Sequence, residues 1–363
     1  MPEPLWNLKS VVLRGTHRNR LDGVTCSIEA GVTAILGSSG AGKTSLLNLL
    51  AGMETPDSGS IERTFDPVTD GLPLYWAPQG GGLWPHLTVQ QHLAEVGFKK
   101  GSGTVVRSTL RAVSATVPDP FLDHAGEVVN FADKLLDEFD LTDRLSAFPA
   151  ELSQGERARL SVARALAIPA QVLLFDEPLV HVDGERKATG WHIIRQTIEN
   201  SGTHLVLATH EPETAMREAD SVICLADGRL AWEGPVTELY HHPPNRSVGQ
   251  FLGPLNWFDV EDQKQWLPAD VQRDQPLCVR PEQLHLESTE PACPNSTADA
   301  IHRCGEATHT FEVVRSQFMG SYADTTVRSV TDHVTRTFVH RPTGVVDVGR
   351  QVVLRFTMDD CNG

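Results

Sequence analysis

Short apolar runs, glycine-rich breaks and helix-period stretches alternate over residues 1–240 and predict a mixed α/β arrangement. Val24 to Leu36 reads as strand, turn, strand, with Glu29-Ala-Gly31 as the turn and Val32-Thr-Ala-Ile-Leu as a short buried strand. Residues 37–52 then run from a glycine-rich loop into a helix carrying Leu46, Leu47, Leu49 and Leu50, with Gly52 at the usual stop position. From about 88 to 167 the pattern is mostly helical, so a helical subdomain is expected over about 85–167, interrupted by the loop-like Lys99-Lys-Gly-Ser-Gly-Thr. Two further buried strands, Val172-Leu-Leu-Phe and His204-Leu-Val-Leu-Ala, flank a helical stretch around 185–199, the alternation of a parallel α/β sheet.

Beyond this the pattern changes. His241-His-Pro-Pro-Asn is a breaker, so a linker is expected over 241–256 and a small β-rich domain over 257–363, with strands at Leu277–Val279, Phe311–Val314 and Val352–Phe356. A chain of 363 residues has room for two such cores.

Charge narrows the partners. The chain has 31 Lys and Arg against 47 Asp and Glu, a net charge of −16, the wrong sign for a protein that lives on a phosphate backbone. No apolar run approaches the roughly 18 to 20 residues that cross a bilayer, and Met1-Pro-Glu-Pro-Leu-Trp lacks the regions of a signal peptide, so a cytoplasmic location is expected. The cysteines at 26, 224, 278, 293, 304 and 361 form no Cys-x-x-Cys pair and suggest neither a zinc site nor a redox motif.

Three segments carry chemistry. Gly37-Ser38-Ser39-Gly40-Ala41-Gly42-Lys43-Thr44 fits the phosphate-loop pattern G-x-x-x-x-G-K-[ST] and lies where that pattern must, after a buried strand and before a helix that continues with Ser45. Its glycines let successive N–H groups wrap an anion, Lys43 neutralises β/γ-phosphate charge, and Thr44 offers a hydroxyl to Mg²⁺. An ordinary glycine-rich turn with a helix cap would explain the glycines but not the Lys-Thr pair. Val172-Leu-Leu-Phe-Asp-Glu-Pro delivers Asp176 and Glu177 at the carboxyl end of a strand, where open α/β sheets bind ligands. Asp176 is placed to hold Mg²⁺ and Glu177 to polarise an attacking water; solvated acids at a strand end are the plain alternative. Leu152-Ser-Gln-Gly-Glu-Arg opens a helix, and Ser153 with Glu156 makes an S-x-x-E capping box. Capping alone does not explain Gly155 inside the first turn, whereas a close backbone approach to phosphate does.

In this order the three motifs resemble the ATP-binding subunits of ABC transporters. Leu152-Ser-Gln-Gly-Glu resembles the family signature Leu-Ser-Gly-Gly-Gln, with Gln154 for a glycine and Glu156 for the final glutamine. The resemblance places the Q-loop glutamine at Gln79 in Trp76-Ala-Pro-Gln, the switch histidine at His210 in Ala208-Thr-His and the D-loop aspartate at Asp183. It implies an α/β P-loop NTPase fold, ATP and Mg²⁺ as cofactors, and a head-to-tail homodimer with two ATP molecules between the chains. Each ATP would be held by the phosphate loop of one chain, Gly37 to Ser45, and by Ser153, Gln154 and Gly155 of the other, with Asp183 close by. Glu177, His210 and Gln79 would serve catalysis, and Thr44, Asp176 and Gln79 would hold the metal. The implied partner is an integral membrane permease at the cytoplasmic side of the inner membrane, with an extracytoplasmic solute-binding protein acting indirectly and no nucleic acid. A regulatory or non-transport ABC ATPase of weak turnover is the alternative.

Besides the signature, the pattern is broken in two places. The family's adenine-stacking aromatic is replaced by Val12-Leu-Arg-Gly-Thr-His-Arg-Asn-Arg, which offers Arg14 or His17 for stacking or a solvated basic turn. His181 stands where a small residue is common. In the tail, Gln250-Phe-Leu-Gly-Pro-Leu-Asn, Val279-Arg-Pro-Glu and Phe318-Met-Gly resemble the transport-associated OB-like domain of importer ATPases, which implies a regulatory or dimerisation role for 257–363.

Overall fold

The computed structural model describes residues 4–65, 72–96, 131–289, 309–342 and 347–357. The loop expected from Lys99 and the stretch from there to 127 lie outside these residues, as do Cys293, Cys304 and Cys361. The chain forms two compact units, Met1–Val236 and Thr237–Gly363.

The first unit is built on two sheets. A three-stranded antiparallel sheet pairs β1 (Trp6–Arg14) with β2 (Asn19–Ile28) and, on its other side, with β4 (Ser58–Arg63). A six-stranded sheet runs β5 (Leu72–Ala77), β6 (Ala170–Asp176), β7 (His204–Thr209), β3 (Val32–Leu36), β8 (Ser221–Ala226), β9 (Arg229–Pro235). Its first five strands are parallel and β9 is antiparallel. Every residue of β3 is buried, which is why four of its five positions are apolar, Thr33 being the exception, rather than every second one. Strands this hydrophobic on both faces need cover on both sides. Helix α1 (Lys43–Leu50) supplies part of it by burying Leu46, Leu47, Leu49 and Leu50 in a core shared with β1, β2 and the central strands.

Parallel pairing decides where the chemistry falls. Because β5, β6, β7 and β3 run the same way, with Ala77 beside Phe175, Asp176 beside Ala208 and Leu36 beside Thr209, their carboxyl ends share one edge. Gln79, Glu177, His210 and the Gly37 loop all follow those ends directly. The expected helical subdomain contains α2 (Val89–Ala94), α3 (residues 131–138) and α4 (Gln154–Leu166), with single 3₁₀ turns at Thr142–Arg144 and Pro149–Glu151. Helix α5 (Gly184–Ser201) then returns to the sheet, its first turn capped by the Asp183 side chain on Arg186 N. Helix α6 (Pro212–Glu218) separates β7 from β8.

In the second unit, α7 (Val236–His241) begins at the division, and the strands are β10 (Asn256–Phe258), β11 (Leu277–Val279), β12 (Leu284–Ser288), β13 (Phe311–Phe318), β14 (Ala323–Ser329), β15 (Thr335–His340) and β16 (Gln351–Phe356). Five of them form an antiparallel sheet in the order β12, β16, β13, β14, β15. Arg341 N donates to Leu284 O at 3.1 Å, drawing the two edges together as in an OB-like fold. The core centres on Trp266 of α9 (Val260–Trp266), whose ring stacks on Phe311 at 5.4 Å and meets Phe338 edge-on at 5.5 Å.

The stretch expected as a linker, 241–256, is structured. Asn245 caps α8 (Arg246–Phe251) by accepting from Val248 N at 2.9 Å. The fully buried Arg280 guanidinium donates to the carbonyls of Tyr240 at 2.9 Å, Gly249 at 3.1 Å, and Gly253 and Pro254 at 3.2 Å. A buried cation needs acceptors, and a chain read residue by residue does not reveal that Gly249, Gly253 and Pro254, inside the expected linker, provide three of them.

Candidate active site

The phosphate loop turns sharply out of β3. Gly42, at φ +106°, is the N-cap of α1, and a Cβ there would lie 2.6 Å from Arg20 O, so both the backbone conformation and the packing behind the loop require glycine. The Lys43 side chain, 6% exposed, curls back so that Nζ donates to Gly37 O at 2.9 Å and Ser38 O at 3.1 Å. Burial pulls its pKa below the ordinary lysine value, while the charges of Glu177 and Asp176 push the other way. Ser38, Ser39 and Gly40 are exposed on the loop, Ala41 is buried beneath it, and Ser45 is half-buried in α1.

Two consecutive acids at the end of β6 face different partners. Asp176 is buried, and its Oδ2 accepts from Thr44 Oγ1 at 2.8 Å. Burial raises the Asp176 pKa above the usual carboxylate value and the Glu177 charge adds to this, against the Thr44 hydrogen bond and Lys43. A hydroxyl and a carboxylate are hard oxygen donors of the kind Mg²⁺ takes, and a cation would relieve the cost of an ionised, buried Asp176. The residues therefore fit that metal. The next residue leaves the strand in a left-handed turn: Glu177 has φ +52°, a conformation that costs a non-glycine residue about 1–3 kcal/mol when held there by its surroundings. Its N–H donates to Ala208 O at 2.9 Å.

That turn sets the Glu177 carboxylate among three groups. Oε1 lies 2.8 Å from His210 Nδ1 and 3.8 Å from Lys43 Nζ, and Oε2 accepts from Gln79 Nε2 at 2.9 Å. Six residues singled out in the sequence, Lys43, Thr44, Gln79, Asp176, Glu177 and His210, thus converge on one edge of the sheet. A carboxylate so held can take a proton from a water set beside a phosphate, the group that a loop of this pattern and its lysine suit.

The loop carrying Gln79 is stitched to α4. Arg164 donates to Gly81 O at 2.8 Å and to Gly82 O at 3.0 Å, and Ser161 Oγ donates to Gly81 O at 3.1 Å. Gln79, Gln154, Asp176 and Glu177 line a common cavity of about 510 Å³.

Ser153, Gly155 and Asp183 belong to a second group. They line a second cleft of about 820 Å³, which shares Gln154 and His181 with the first. Ser153 is the N-cap of α4, its Oγ accepting from Glu156 N at 3.2 Å while Glu156 Oε2 accepts from Ser153 N at 2.7 Å. The capping box is therefore real. Gly155 has a second reason to lack a side chain, since a Cβ would lie 3.0 Å from His181 O.

The ABC transporter family model matches residues 21–180 and the TOBE domain model matches residues 277–362. The Fe(3+) ions import ATP-binding protein FbpC of Pseudomonas fluorescens (strain Pf0-1) is 30% identical over 282 residues, covering 72% of this chain and 73% of that protein. The chain belongs to the ABC transporter ATP-binding family. The sulfate/thiosulfate import ATP-binding protein CysA of Gloeobacter violaceus (strain ATCC 29082 / PCC 7421) is 30% identical over 259 residues, 70% of this chain and 69% of its own. A solved structure of an ATP binding subunit of an ABC transporter superposes with a TM-score of 0.52 at 24% identity, over 65% of this chain and 91% of that one, and shows the shared fold. As an ABC ATPase the chain binds and hydrolyses ATP, and its second unit contains a TOBE domain over 277–362.

Three features of this ABC ATPase escape a linear reading. Arg18 leans on the phosphate loop, donating to Gly40 O at 3.2 Å and pairing with Asp227 at 3.3 Å. Arg164 anchors the Gln79 loop from a distance of more than eighty residues. Arg144 Nε donates to Glu156 Oε1 at 3.0 Å, twelve residues along and at no helical spacing.

Proposed function

We propose that this chain powers uptake of a solute through a membrane permease, working as a head-to-tail pair of chains with ATP at each of two shared sites. The observation that carries the reading is the placement of the Glu177 carboxylate, bonded to His210 and Gln79, 3.8 Å from Lys43 and next in sequence to the Thr44–Asp176 pair. In this reading the loop N–H groups and Lys43 bind the β- and γ-phosphates, Glu177 accepts a proton from the attacking water, and His210 steadies Glu177 and the γ-phosphate. Thr44 and Asp176 hold Mg²⁺, with Gln79 at hand, and the metal supplies charge neutralisation on the phosphates.

Ser153, Gln154 and Gly155, at the positive end of the thirteen-residue α4, supply donors to the γ-phosphate of the ATP bound by the second chain, with Asp183 beside them. Ser153, Gly155 and Asp183 line a cleft that neither Glu177 nor the phosphate loop lines, which supports a site completed by another copy. The permease supplies the membrane passage, since no helix among the described residues is long and apolar enough to cross a bilayer. The chain docks on the cytoplasmic face of the inner membrane, and an extracytoplasmic protein delivers the solute. Relatives named for Fe(3+) and for sulfate/thiosulfate span a cation and an oxyanion, which supports a reading in which the permease and the delivery protein choose the solute.

Steady-state ATPase activity against protein concentration, for the chain alone and with its permease, tests the reading. Turnover per chain that rises with concentration supports it. Turnover that is concentration-independent and unchanged by permease favours a regulatory ATPase instead.

A further inference from the structure

Glu156 occupies a signature position that usually carries glutamine, and this inference rests on the two-chain reading above. A carboxylate there would face the phosphates of ATP held by the second chain, across an interface where like charges repel more strongly than in water. The structure engages both oxygens: Oε2 accepts from Ser153 N at 2.7 Å and Oε1 accepts from Arg144 Nε at 3.0 Å. Glu156 is 17% exposed and Arg144 53% exposed, so the carboxylate lies beneath a guanidinium that stays at the surface. The Ser153 backbone donor, with Arg144 in support, holds the Glu156 carboxyl below the usual glutamate range, so it is ionised.

The surroundings leave this task to Arg144. The cleft at the turn is also lined by Asp140, Asp143 and Asp183 against Arg159 and Arg186. Arg186 pairs with Asp140 at 3.1 Å and Asp183 at 3.3 Å, and Arg159 donates to Asp140 O at 3.3 Å. Arg144 is the cation that the structure sets on Glu156.

We propose that Arg144 is a positioning residue for ATP hydrolysis, cancelling and orienting the Glu156 carboxylate so that Ser153 and the α4 N-terminus can receive the γ-phosphate of ATP on a second copy of the chain. A charge-cancelling pair thus stands in for the neutral glutamine. The signs of its mutants follow. Arg144→Ala leaves an uncompensated anion facing phosphate and weakens ATP-dependent pairing. Glu156→Gln keeps the capping box, because glutamine serves it equally, and leaves a cation facing phosphate, so pairing tightens. The double variant returns to the parent.

The test is sedimentation velocity of the full-length Glu177→Gln chain with Mg²⁺ and ATP, with the two single variants and the double variant added to that background. The expected result is a dimer weakened on the order of tenfold by Arg144→Ala, tightened by Glu156→Gln and restored by the double, with the Arg144→Ala defect shrinking as salt is raised. ATP binding to the dilute single chain should be unchanged, because its phosphate loop is untouched. If Glu156→Gln weakens the dimer, or the double variant is no better than Arg144→Ala, Arg144 serves only to hold the turn together and the proposal is wrong. Should Arg144→Ala lower the melting midpoint, Arg144→Gln gives the same uncharged comparison and must be rescued in the same way. If the Glu177→Gln parent itself stays monomeric in ATP with permease present, the two-chain reading fails, and this inference with it.

Discussion

The Arg164 guanidinium grips the Gly81 carbonyl at 2.8 Å, and Gly81 lies two residues beyond Gln79, whose amide touches Glu177. Helix α4 therefore sets the position of a side chain at the hydrolytic end of the sheet. Arg164→Ala should lower kcat on the order of tenfold, as for a displaced positioning group, while KM for ATP changes little because the phosphate loop is independent of α4. Steady-state kinetics on the two parameters separately would show it, and an unchanged kcat would count against the link.

Glu177→Gln removes the carboxylate proposed to accept the proton but keeps the shape and a partner for Gln79. Turnover should fall by about 10² to 10⁴ with nucleotide binding retained, measured by phosphate release and by titration with a fluorescent ATP analogue. Equal loss of both would mean that Glu177 serves binding.

Thr44→Ala deletes the hydroxyl that donates to Asp176 Oδ2 at 2.8 Å. The buried Asp176 carboxylate then loses its hydrogen-bond support and its pKa rises further. The Mg²⁺ concentration for half-maximal activity should increase about tenfold, as for loss of a ligand or its orienting partner, and activity at saturating Mg²⁺ should recover in part. A Mg²⁺ dependence identical to wild type would remove Thr44 from the metal site.

Gly155→Ala sets a methyl 3.0 Å from the His181 carbonyl. The turn must shift, at a cost of about 1–3 kcal/mol as for overpacking elsewhere. ATP binding by the single chain should survive while concentration-dependent turnover drops, which concentration series on the two proteins would reveal.

In the TOBE domain His340 is fully buried, with Nδ1 2.9 Å from the Arg341 carbonyl and Nε2 2.8 Å from Thr325 Oγ1. A carbonyl only accepts, so Nδ1 carries the proton and Nε2 receives the Thr325 hydroxyl in the neutral ring. Burial lowers its pKa, helped by His285 and opposed by the Arg341 hydrogen bond and Asp324. With the folded value below the unfolded one, stability is complete above about pH 6.5 and is lost as pH falls, by up to about 1.4 kcal/mol per pH unit until the folded pKa is reached. Burial also lowers His92, His204 and His285, so their contributions share that sign. Melting midpoints from pH 8 to 5 should decline below about 6.5, and His340→Gln should flatten part of the decline.

The legible parts of this chain were those in which chemistry demands neighbouring residues. A phosphate loop must be contiguous, so Gly37 to Thr44 announces itself, and Asp176 and Glu177 follow β6 because strand ends are where such sheets bind ligands. The illegible parts join distant residues through packing. Nothing in the local sequence pairs Arg144 with Glu156 or Arg164 with Gly81, and the fold of 241–256 depends on Arg280, a residue more than twenty positions away. The left-handed backbone of Glu177 was equally hidden, because glutamate carries no preference for it.

Helix α4 holds the Ser153 turn at one end and, through Ser161 and Arg164, the Gln79 loop near the other. Thirteen residues at about 1.5 Å each give a rod of about 20 Å. A rod does not bend when one end is pushed. On the proposed two-chain reading, binding at the Ser153 end and rearrangement at the Gln79 end would therefore be two faces of a single displacement, and mutations that soften the middle of α4 should uncouple them while leaving each intact.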